Sequence, residues 1–92
     1  MAEVDDGFYN RADEHIHLAN TQLLTVSVGK VSASMLYSVA RFNAYVTAQG
    51  FTTVAEMRAA KQDTIEFFVG EYKKMLEENL DDYVRNFGKY KS

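Results

Sequence analysis

Residues 31–51, VSASMLYSVARFNAYVTAQGF, constrain the fold more than any other stretch of this chain. At 100° per residue they form a helix that is apolar or small-sided on nearly every face. A helix of that kind is normally covered by its neighbours. Val31, Met35, Val39, Phe42 and Val46 share one side, widened by Leu36, Ala40 and Asn43. Ser34, Tyr37, Arg41, Tyr45 and Ala48 share the other. Ala33, Ser34, Ser38, Ala40 and Ala44 are small enough to let another helix approach closely. The helix is expected to start at Val31 or Ser32, with Ser32 as its N-cap, and to stop at Gly50.

A first helix is predicted from Asp6 or Gly7 to about Ser27. Phe8, Ala12, Ile16, Ala19, Leu23 and Val26 recur at spacings of three and four and so share a face. Thr25–Val28 is β-branched or small, which makes the end soft. Gly29 is the expected stop, with Lys30 in the connection. After Gly50, Thr53-Val-Ala-Glu56 fits a capping box, in which the hydroxyl and the carboxylate each satisfy a free backbone donor. Asp63-Thr-Ile-Glu66 repeats that logic with an acidic cap. The favoured reading is a short helix Val54–Lys61, a bend, and a long helix Thr64–Phe87 capped by Asp63. A single continuous helix is the alternative, because Val54, Met57, Thr64, Ile65 and Phe68 hold one phase through Asp63.

In the long helix Ile65, Val69, Tyr72, Leu76, Tyr83 and Phe87 form one stripe, broadened by Phe68, Met75, Asn79 and Leu80. Phe67 lies roughly opposite it. Gly88 is the expected cap. The whole reads as an all-α fold, an antiparallel bundle of three main helices with a short extra helix before the last. Residues 7–88 form the single domain, and residues 1–6 and 89–92 are flexible termini.

Composition narrows the function classes. The 92 residues are 47% hydrophobic, enough for one small core that association with a second copy would reinforce. The absence of proline suits long helices. The absence of cysteine excludes disulfides and zinc–thiolate sites and agrees with a reducing cytoplasm. The acidic start is no signal peptide, and Val31–Val46 is too short and too interrupted for a membrane span of about 20 residues. A net charge of −3 argues against general nucleic-acid binding, and the basic tail residues Arg85, Lys89 and Lys91 read as solvated.

Candidate chemistry is sparse. Glu14-His-Ile-His17 contains a Glu-x-x-His step, the spacing that lets a carboxylate and an imidazole converge on metal in di-iron bundles. There is no second copy of it, and Glu14 and His17 turn away from the apolar face, so no metal and no cofactor is assigned. Acid pairs among Glu77, Glu78, Asp81 and Asp82 read as a solvated face. No phosphate loop, nucleophile elbow or catalytic triad is present, and the chain reads as a non-enzyme. Arg41 among Tyr37, Tyr45, Ser34 and Ser38 is the sharper feature. A guanidinium flanked by phenols can hold a carboxylate or phosphate; the favoured reading is structural, a pair with an acid of helix 1, of the long helix or of a partner subunit. Asn20, Asn43 and Asn79 are expected to be buried hydrogen-bonding groups that fix helix register. Phe67 and the Tyr37/Tyr45 face are aromatic surplus, fit for an interface. The alternative is that the short helix Val54–Lys61 folds back over them.

FYNRADEHIHLAN near the start, VSASMLYSVARFNAYV, and EFFVGEYKKMLEENLDDYV together resemble the bacterial family called domain of unknown function 3144. The resemblance covers Phe8 to about Val84. It implies a small cytoplasmic helical protein and carries no activity, ligand or catalytic residue. The residues themselves favour a self-associating interaction module, a homodimer with Phe67 and Tyr45 at its interface. An unidentified protein partner is the other candidate, and neither nucleic acid nor membrane is expected. The alternative is a small-anion or metabolite binder at Arg41, Tyr37 and Tyr45.

Overall fold

The computed structural model describes residues 4–90, with the side chain of Tyr90 left aside. The described residues form helices and turns only. The elements are α1 (Phe8–Gln22), α2 (Val28–Gln49), α3 (Val54–Arg85) and the short α4 (Phe87–Tyr90). They fall into two compact units that divide between Phe51 and Thr52. In the first, α1 touches α2; in the second, α3 continues into α4. Expectations about residues 1–3, 91 and 92, including Lys91, lie outside the described residues.

In the first unit, α1 begins where the sequence places it. Gly7 is its N-cap and offers no side-chain oxygen. Asp5 supplies one instead: its Oδ1 accepts from the Gly7 N–H at 2.9 Å, and both its oxygens accept from Arg11 at 2.9 and 3.0 Å. The Arg11 hydrogen bond, with help from the backbone, holds the Asp5 carboxyl below the usual carboxylate range. The end of α1 comes earlier than expected, at Gln22. Leu23, Leu24, Thr25 and Val26 form closing turns through N–H bonds to Ala19, Thr21 and Gln22. The soft β-branched segment therefore terminates the helix before any glycine does.

The predicted join at Gly29 is likewise displaced. α2 starts at Val28, and Ser27 rather than Ser32 is the N-cap, with extended backbone at φ −66° and ψ 153°. Gly29 and Lys30 lie inside the first turn. Among the described residues no glycine takes a positive φ, so Gly29 has no left-handed stop to make. A Cβ there would meet nothing within 4 Å, so the helix passes through it freely. Gly50 does end α2 as predicted.

In the second unit, the capping box forms as the sequence requires. Glu56 N–H donates to Thr53 Oγ1 at 3.2 Å, and Thr53 N–H donates back to Glu56 Oε1 at 3.2 Å. Thr52, unnoticed in the sequence, adds a hydroxyl bond to the same oxygen at 2.8 Å. These bonds, that of the Thr52 hydroxyl first, lower the Glu56 pKa. The bend at Asp63 is absent: α3 runs unbroken for 32 residues, about 48 Å. There is no separate short helix before the last. Asp63 and Thr64 are tolerable inside a helix, no proline interrupts the chain, and a preceding turn already satisfies their N–H groups. The short extra helix instead follows the long one. α3 stops at Arg85 with Asn86 as C-cap, and Gly88, the predicted cap, sits within α4.

Three outcomes are expected from this geometry. Thr53→Ala removes the hydroxyl cap and lowers stability by about 1 kcal/mol in thermal unfolding followed by circular dichroism. The depressed Glu56 pKa makes its contribution complete above the ordinary glutamate range and lost as pH falls through the lower folded value. Wild type therefore loses more stability than Glu56→Gln between pH 5 and about 3. Gly70→Ala raises stability by about 0.5–1 kcal/mol, because Gly70 is in a helix interior with open space around it.

Candidate functional site

Helix α2 places Tyr37, Arg41 and Tyr45 at spacings of four, so all three side chains emerge along one line. With Ser38 and Phe42 they form a shallow, open, mainly apolar depression on the helix surface. Phe42 packs against Tyr45 with ring centroids 6.3 Å apart and planes tilted by 34°. The Ser38 hydroxyl is committed to its own helix, donating to the Ser34 carbonyl at 2.9 Å. Arg41 is exposed and forms no ion pair or hydrogen bond among the described residues. Of its two sequence readings, the sealed internal ion pair is therefore not what the chain displays. The guanidinium stands open between two phenols, all of its donors free.

Phe67 lies elsewhere, on α3. It is 59% exposed and meets Phe68 edge-on, with centroids 5.3 Å apart. The alternative in which residues 54–61 fold back over it is removed, because those residues are the first turns of the same continuous helix. Glu14 and His17 are both exposed on α1. No group of three metal-ligating side chains converges among the described residues.

The asparagines depart from expectation. Asn20 and Asn79 are exposed and Asn43 is half-buried. Asn79 donates to the Met75 carbonyl at 2.8 Å within its own helix. The sequence reading buried them by assuming that each helix is covered. In fact Val31 is the sole buried apolar side chain among the described residues.

That shortage of cover is the feature of the surface that sequence reasoning missed. In the first unit Leu24 is 82% exposed, Tyr37 68% and Phe42 64%. In the second, Val69 is 61% exposed, and Ile65, Tyr72, Leu76 and Tyr83 are exposed too. The signal was available in the sequence: α2 is apolar on more faces than α1 alone can cover. No helix among the described residues is long and apolar enough to cross a membrane.

The family described as "Protein of unknown function (DUF3144)" matches residues 8–84. The chain belongs to that family. Its three signature segments lie on α1, α2 and α3, so the match spans both units. The chain is also similar to a solved structure, the NMR structure of the protein NB7890A from Shewanella sp.. The two are 38% identical and superpose with a TM-score of 0.81 over 98% of this chain and 96% of that one. No curated protein matches. The DUF3144 family thus supplies a helical fold and no named activity.

Arg41→Ala should leave the chain folded, with unfolding free energy changed by less than about 0.5 kcal/mol, because no partner is left unpaired. Urea unfolding of the variant beside wild type checks this.

Proposed function

We propose that this protein is a non-enzymatic interaction module that associates with a second copy of itself. The observation that carries the reading is the uncovered apolar surface within each unit. Large exposed side chains are ordinary when scattered, but contiguous apolar stripes mark association. Here they follow helical periodicity along α2 and α3. Phe67 and Tyr45 are rigid aromatic anchors of the type that dominates interfaces. No group of three metal-ligating side chains among the described residues competes with this reading. The acidic net charge and the lack of cysteine support a cytoplasmic protein with neither nucleic-acid nor membrane partners.

The melting temperature of a dimer rises with protein concentration, because association stabilises only the folded chain. Wild type is expected to gain several degrees over a hundredfold range of concentration. At an interface built on these two anchors, Phe67→Glu and Tyr45→Ala each weaken association, the first by about tenfold or more. A melting temperature independent of concentration would reject the proposal.

A second reading rests on the free guanidinium. Arg41, with Tyr37 and Tyr45, is fitted to a small carboxylate or phosphate. Inorganic phosphate or a dicarboxylate should then raise the melting temperature of wild type and leave that of Arg41→Ala unchanged. An equal response in both proteins would dismiss this reading.

A further inference from the structure

Helix α3 carries two adjacent apolar stripes, and they are not equally covered. Met57, Ala60, Thr64, Phe68 and Met75 are half-buried. Beside them Ile65, Val69, Tyr72, Leu76 and Tyr83 are exposed, between 42% and 61%. The exposed stripe advances by four, three, four and then seven residues. That alternation is a heptad seam, the pattern by which two helices interlock side by side. Continued in both directions, it passes through Gln62 and Asn79.

We infer that this seam is where the second copy sits, and that the two α3 helices run antiparallel. The inference rests on the self-association proposed above and moves its contact: Phe67, roughly opposite this stripe, and Tyr45, on α2, stand outside the seam. The seam is complementary to itself in one register only. If residue numbers facing each other sum to 141, Ile65 meets the partner's Leu76 and Val69 meets the partner's Tyr72. The two polar members, Gln62 and Asn79, then meet one another rather than an apolar side chain. Amide pairs of this kind fix alignment, because a shift would strand each against hydrocarbon. A twofold axis generates every layer twice, which is the requirement for an isologous interface.

Charge points to the same register. Glu66 follows Ile65 and Lys73 follows Tyr72, so both flank the seam on the same edge. In the antiparallel arrangement Glu66 lies beside the partner's Lys73, and Lys73 beside the partner's Glu66. In a parallel pair the same edge faces Lys61, Phe68 and Met75, so Glu66 meets Lys61 but Lys73 is set against Phe68 with no acid to pair with. Both charges are available for this. Glu66 makes no ion pair among the described residues. Lys73 has only a loose, exposed contact with Glu77 at 3.9 Å. Gly70 projects away from the seam, so Gly70→Ala leaves the interface untouched.

Charge exchange tests the register. Glu66→Lys and Lys73→Glu should each weaken the dimer by about tenfold, since each converts two attractive contacts into repulsive ones. The double variant Glu66→Lys/Lys73→Glu restores the attraction with its sign exchanged and should return the dissociation constant to within about twofold of wild type. Sedimentation equilibrium gives these constants. Both sites are exposed, so circular dichroism should show all three variants fully helical. A wild-type dimer whose affinity ignores the single reversals, or is not rescued by the double, overturns this interface and leaves self-association standing. A wild type that is monomeric throughout overturns both. Cysteine scanning is an independent check, because the chain has no cysteine. An equal mixture of Ile65→Cys and Leu76→Cys chains should oxidise to a mixed covalent dimer, while neither variant crosslinks alone. Crosslinking of either variant with itself would mean a parallel pair and would contradict the assignment.

Discussion

An α-helix draws most of its stability in water from burying an apolar face, and this chain has more apolar helix than it has cover. Everything else in the structure follows from that imbalance. Hydrogen bonds are well provided for: the capping box at Thr53 and Glu56 and the carboxylate of Asp5 tie down two helix starts, and serine and threonine hydroxyls fold back onto their own helices. Those bonds define where helices begin and end. They do not supply the burial that makes helices persist. Among the described residues Val31 is the sole buried apolar side chain, so burial within each unit contributes little.

The two uncovered regions differ in what they offer a partner. The α2 face is aromatic and carries a single cation, so it is adaptable and open to more than one occupant. The α3 seam is regular, and its apolar, amide and charged positions match their own mirror order. Regularity of that kind specifies a partner, because a mismatched helix would face unpaired amides and like charges.

Much of this was legible before the structure. The capping box, the start of α1, the stop at Gly50 and the apolar stripe of α3 follow from local chemistry, and local chemistry is what a sequence displays directly. The errors came where two local signals competed. At Gly29 and Gly88 a glycine suggested a stop, yet the preceding helices end before it, at Gln22 and Arg85, and each glycine lies inside the helix that follows. At Asp63 a second capping pattern suggested a start, yet the helix arriving from Val54 had already satisfied the donors that such a cap serves. The asparagines were misplaced for a longer-range reason. Periodicity shows which face a residue shares, but not whether anything covers that face. Arg41 belongs to the same class: its neighbours on α2 could be read, its lack of a partner could not.

The family match and the solved structure from Shewanella sp. fix a helical fold and leave activity unnamed, so the weight falls on the surface itself. The central claim is that a second copy covers the apolar stripes. Light scattering coupled to size exclusion, over a range of loading concentrations, tests it most directly. The account predicts twice the chain mass at high concentration, falling toward the chain mass only on dilution. A single mass equal to one chain at every concentration would contradict it.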